Sequence, residues 1–175
     1  MNTSRTRRLG LGLTIAALLG PLGWVSAHAL GQPQGKPVLT VGGAIAATNR
    51  GGQAVFDMAM LEALPQKTFT TSTPWDNRPI RFSGPLLRDV LAAVQARTQA
   101  GTLKATALND YRIQIPVADA ARFDVIMATR LDGEPMSVRT RGPLFIVYPF
   151  DSRPELQSAT YYERSIWQLK SLDVE

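Results

Sequence analysis

Asn109, Asp110 and Tyr111 place an amide, a carboxylate and a phenol at one turn, and Arg139 and Arg141 stand just before the apolar stretch PLFIVYP. The first group can hydrogen-bond the polar edge of a ligand, and the two guanidinium groups can bind a carbonyl, a phosphate or a partner's acid. Plainer uses compete. Asn-Asp is also a turn signal, Tyr111 can simply begin a strand, and arginines beside a turn also make a solvated edge. The carboxylates form no recognisable acid/base pair along the chain.

What is missing limits the chemistry further. There is no cysteine, and the single histidine, His28, lies in the first thirty residues. Those residues read as an export signal: the basic, acid-free MNTSRTRR, the apolar LGLGLTIAALLGPLGWVSA, then Ala27-His28-Ala29 as a cleavage site after Ala29. An uncleaved anchor over Leu9 to Ala27 is the alternative, which the Gly and Pro content and the small-residue site disfavour. Arg7-Arg8 after Thr6 resembles a twin-arginine signal, although Gly10 stands where such signals carry a larger apolar residue.

Cleavage would remove three arginines and no acid, lowering the net charge from +5 to +2. The remaining basic residues form no stripe with interleaved aromatics, so nucleic acid is not an expected partner. A mature chain of residues 30–175, placed in the periplasm, would have neither imidazole nor thiol. That excludes a Ser-His-Asp or Cys-His nucleophile, a Cys/His zinc site, haem ligation by those residues and any disulfide. One hydrophobic core must then stabilise the fold alone, and about 145 residues suffice for a single domain.

The elements follow from pattern. Residues 30–37, LGQPQGKP, read as a flexible leader ahead of a domain over 38–175. VLTVGGAIA begins as a strand, with Gly42-Gly43 marking a bulge or close backbone approach. Met58, Leu61 and Leu64 predict a short helix stopped by Pro65, and KTFTTST is extended. In FSGPLLRDVLAAVQA, Pro85 fits the first turn of a helix with Leu86, Leu87, Val90, Leu91 and Val94 on one face. TLKATALNDYRIQIP predicts two extended segments joined at Asn109-Asp110, VADAARF a helical turn, and DVIMATRL a strand before a hairpin turn at Asp132-Gly133. PLFIVYP is apolar on both faces and reads as a central strand, with a short helix or loop and then a closing strand after it. Strands and helices are mixed without βαβ alternation, so the expected class is α+β.

In order, KTFTTSTPW, FSGPLLRDVL, ATALNDYRIQIP, DGEPMSVRTRGPLFIVYP and SIWQLKSLDV resemble the molybdopterin-binding domain of the sulfite oxidase family. The resemblance covers most of residues 38–174 and implies a sulfite oxidase-like fold of mixed sheets with short helices. Enzymes of that family carry a molybdenum-binding cysteine near the position of Thr71, Ser72 and Thr73 here, and an arginine at the position of Phe145. A neutral hydroxyl is a far poorer ligand than thiolate for this site. The pattern is similar to a subgroup of small exported proteins that lack the cysteine, are usually described as oxidoreductases, and include pterin-binding partners of membrane-bound signalling enzymes such as diguanylate cyclases.

That resemblance implies a pterin ligand, which calls for an aromatic face, a carboxylate opposite its amidine edge and a donor for its carbonyl. Thr73 and Trp75 beside the lost cysteine, Asp110, Tyr111, Arg139, Arg141 and Tyr148 are the candidates. Trp75 is read equally as a stacking face or a core plug. Tyr148 to Asp151 and Arg141 are expected to edge a pocket at the two ends of the buried strand. Tyr161, Tyr162 and Trp167 form an aromatic group that either caps the core or meets a partner. Two other functions stay open at this level: a molybdopterin-dependent oxidoreductase that holds molybdenum only through the cofactor's own dithiolene, and a ligand-free adaptor.

Overall fold

The computed structural model describes residues 30–97 and 101–175. The export signal read over residues 1–29 lies outside the described residues. Residues 30–36 carry no regular element, and neighbouring side chains hold their backbone: Asn49 Nδ2 donates to Gly31 O, and the N–H groups of Gln34 and Gly35 donate to Asp57.

Strand β1 (Pro37–Gly43) buries Leu39 and Val41 on one side, as its alternation requires. It pairs antiparallel with β2 (Ala54–Asp57), which runs directly into α1 (Met58–Glu62). Asp57 caps that helix by accepting from Met60 N. Its carboxyl is held below the usual range chiefly by the Gly35 and Met60 N–H groups. β3 (Gln66–Thr71) and β4 (Ile80–Pro85) then form an antiparallel pair ahead of α2 (Leu87–Ala93).

The start of α2 corrects one expectation. Pro85 is the last residue of β4 and not part of the helix's first turn. Leu86 bridges to Ile126 and the Leu87 N–H donates to Val125 O, so cross-strand contacts keep the chain extended two residues longer. Leu87, Val90, Leu91 and Val94 are buried as predicted, whereas Leu86 is half-buried.

β5 (Thr102–Ala107) and β6 (Arg112–Pro116) are the two segments expected about Asn109-Asp110. The turn is closed by Tyr111 N donating to Asn109 Oδ1, with Asp110 at φ 66°. α3 (Val117–Arg122) leads to β7 (Ile126–Ala128), and β8 (Arg130–Leu131) and β9 (Glu134–Pro135) close the hairpin at Asp132-Gly133. The quoted apolar stretch contains β10 (Phe145–Val147), fully buried and paired with β7. α4 (Ala159–Arg164) precedes the closing strand β11 (Leu169–Val174).

These elements form a five-stranded sheet in the order β2-β1-β11-β5-β6, a four-stranded sheet β3-β4-β8-β9, and the pair β10-β7 between elements of both. All pairings are antiparallel except β1 with β11. Gly43 is needed where β1 meets β11: at φ 80°, a Cβ there would lie 2.1 Å from Val174 O. Gly84 does the same for β4 crossing β7, where a Cβ would lie 2.1 Å from Met127 O. The fold is α+β, built around one apolar core to which the sheets and α2 contribute. Among the described residues no helix is long and apolar enough to cross a membrane.

Candidate functional site

The loop after β3 and the segment after β10 are latched to each other. Asp151 N donates to Thr71 Oγ1 at 3.0 Å, and Ser72 N donates to the Asp151 carboxylate at 2.7 Å. One residue further on, Thr73 Oγ1 donates to Asp76 Oδ2 at 2.6 Å and accepts from Trp75 N at 3.2 Å. Arg141 grips the same Asp76 with both terminal nitrogens, at 2.7 and 2.9 Å. Burial pushes the Asp76 carboxyl up, but hydrogen bonds from Arg141 and Thr73 outweigh it and hold the group below the ordinary carboxylate range. The Arg141 guanidinium also lies 5.5 Å above the Trp167 ring.

This loop geometry delivers Trp75 to an aromatic hub. Its ring meets Phe145, Phe150, Tyr162 and Trp167 edge-on, with centroids 5.5–6.1 Å away. Trp75 caps the buried rings of Phe145 and Phe150, as a core plug does, and it also walls a cavity. That cavity is about 290 Å³, close to the lower end of small-molecule sites, and is walled by Trp75, Tyr111, Tyr162 and Trp167, with Asn109 and Glu163 as polar groups. Among the described residues no lysine or arginine lines it.

Tyr162 and Glu163 come from α4, which is short and uncapped by any side chain. Tertiary contacts hold it. Arg164 donates to Asp119 at 2.9 Å, and the same carboxylate oxygen accepts the Tyr148 hydroxyl at 2.7 Å. Burial, and after it the Asp119 charge, drive the Tyr148 phenol far above the normal tyrosine range.

The sequence candidates thus separate. Trp75 and Tyr111 line the cavity, and Thr73 and Arg141 stand directly behind it, fixing Trp75 and Trp167. Asp110 does not line it: the carboxylate is exposed and paired with Lys170. Arg139 is exposed and lies outside it. Tyr148 is fully buried with its hydroxyl committed to Asp119, so it is core and does not edge the pocket as expected. Asn109, read as a plain turn residue, does line the cavity, and Tyr162 and Trp167, read as a core cap or partner face, are walls. Asp76 and Glu163 escaped the sequence reading: Asp76 sits in a loop and is defined by its pairing with Arg141 65 residues away, and spacing does not show which side chains of the short α4 face a cavity.

The lining fits part of molybdopterin. Four aromatic side chains suit a flat pterin ring, and Glu163 and Asn109 suit its donor and acceptor edges. The metal and the phosphate tail are not served: the chain has no thiolate, no cation among the described residues lines the cavity, and the hydroxyls of Thr71 and Thr73 are engaged in hydrogen bonds. Among the described residues no group of three or more His, Cys, Asp or Glu could hold a metal ion.

Comparison with known proteins places the fold. Residues 48–150 match the family described as oxidoreductase molybdopterin binding domain. Comparison with curated protein sequences gives no significant match. Among solved structures, the sulfane dehydrogenase SoxCD from Paracoccus pantotrophus superposes with a TM-score of 0.58 at 16% identity, over 78% of this chain and 37% of that one. The likeness therefore concerns the fold, over little more than a third of that neighbour's length.

Proposed function

The chain belongs to the oxidoreductase molybdopterin-binding domain family, and we propose that it uses the fold to bind a metal-free pterin without redox catalysis. The observation that carries this reading is the composition of the cavity: aromatic walls and a carboxylate, with neither a thiolate for molybdenum nor a cation for a phosphate tail. The ring would lie among Trp75, Trp167 and Tyr162, with the Glu163 carboxylate accepting from the amidine edge and Asn109 donating to the carbonyl. Thr73 and Arg141 would not touch the ligand and would hold the two tryptophans in place. In a periplasmic protein of this kind the bound pterin is a signal, which the chain would report to a membrane-bound signalling protein such as a diguanylate cyclase with a periplasmic sensor region.

The test is to express the full chain in a bacterium that makes molybdopterin, purify it from the periplasm and identify what it carries. Fluorescence and mass spectrometry report pterins, and elemental analysis reports molybdenum. A metal-free pterin at stoichiometric level is the expected result. Stoichiometric molybdenum would overturn the proposal in favour of the oxidoreductase that the family match favours, and a chain that neither carries nor binds pterin would leave only an adaptor.

A further inference from the structure

A second depression, about 780 Å³, lies on the other side of the β5–β6 turn. Its floor is the outward face of β1 and β11, where the small side chains of Val38, Thr40 and Ser171 leave the sheet bare, and Leu108, Val138 and Pro143 form its walls. Leu108 and Val138 are 43% and 55% exposed, an unusual state for apolar side chains set around one groove. Among the described residues its charged lining is Lys36 and Lys170, with no acidic side chain. Lys36 makes no ion pair among the described residues, while Lys170 is held by Asp110 on the turn. That turn serves both depressions: Leu108 lines the groove, and Asn109 and Tyr111 line the aromatic cavity.

We propose that this groove receives an acidic, apolar peptide segment of a partner protein, and that the Leu108–Tyr111 turn couples its occupancy to that of the cavity. The charge of the lining selects acidic partners over basic ones, and the exposed leucine and valine supply apolar area for alternate side chains of an extended segment. A partner carboxylate that reaches Lys170 competes with Asp110, and so acts on the turn carrying Asn109 and Tyr111. Any such coupling is reciprocal, so a filled cavity changes the affinity of the groove. The docking site stands on its own observations, whereas the coupling rests on the cavity's being a ligand site as proposed above.

The probe is a displayed library of random peptides selected against the mature chain, with enriched peptides synthesised, labelled and titrated by fluorescence anisotropy. Peptides with acidic residues interleaved with apolar ones are expected, weakened about tenfold by Val138→Glu or Lys36→Glu, which corresponds to 1.4 kcal/mol. Both positions are exposed, so the variants fold, and pterin binding followed by fluorescence on the same samples stays unchanged. Enrichment of basic peptides, or binding indifferent to both substitutions, overturns the docking site whatever the pterin result. A dimer in sedimentation that Val138→Glu dissolves would also overturn it, giving the groove to a second copy of the chain. Where peptide and pterin both bind, an unchanged peptide affinity on filling the cavity overturns the coupling alone. A chain that binds peptide and no pterin sinks the functional reading and leaves the docking site standing.

Discussion

Replacing Arg141 with alanine removes the centre of the cluster that holds the cavity walls. The guanidinium makes two charge-assisted bonds of 2.7 and 2.9 Å to Asp76, and the two side chains are only 18% and 19% exposed. An exposed ion pair contributes at most about 1 kcal/mol, and cutting a fully buried one at one end costs about 3–5 kcal/mol. At this depth the expected loss is about 2 kcal/mol, with about 0.5 kcal/mol more for the lost contact over Trp167. The loss depends on pH with a definite sign. The folded Asp76 pKa lies below its ordinary value of 3.8, so the pair's contribution is fully present above that value and disappears as pH falls through the depressed one. Urea unfolding of wild type and variant should therefore differ most at neutral pH and converge in acid, once the pH has fallen through the depressed Asp76 pKa. Arg141→Lys should recover less than half of the loss, because an ammonium cannot make the paired contact. A neutral-pH difference under about 0.5 kcal/mol, or one that persists undiminished in acid, would refute the account.

Further outcomes follow from individual contacts. Glu163→Gln should weaken pterin binding about tenfold in a fluorescence titration with the unfolding midpoint unchanged, while Arg139→Ala, outside the cavity, leaves affinity as it was. Tyr148→Phe should cost about 1 kcal/mol by denaturant unfolding, since Asp119 keeps Arg164, and in the wild type this phenol should stay un-ionised in alkaline titration until the fold opens. Gly43→Ala should destabilise by about 3 kcal/mol or more in the same assay, because its φ of 80° and the Val174 carbonyl leave no room for a Cβ.

Much of this protein is legible in order. The alternation in β1, the apolar face of α2, the turns at Asn109-Asp110 and Asp132-Gly133 and the doubly buried β10 depend on local sequence rules, and the described structure contains each of them. The absence of any thiol is a property of composition alone, and it removes thiolate ligation of a metal before any coordinate is known. Pro85 shows where local rules stop. Its ring suits a helix start, but contacts from Val125 and Ile126 hold the chain extended past it.

The site divides along the same line. Trp75 and Tyr111 are chemically conspicuous residues, and their types together with the family resemblance mark them as ligand-binding candidates. Which polar groups face them depends on pairings across long stretches of chain. Arg141 reaches back to Asp76, and Arg164 reaches Asp119 and so brings Glu163 to the rim, while the core takes Tyr148. No periodicity encodes those partners, because each pairing is set by how the sheets stack. The residues present determined which chemistry the chain can carry, and the tertiary structure decided which of them share a cavity.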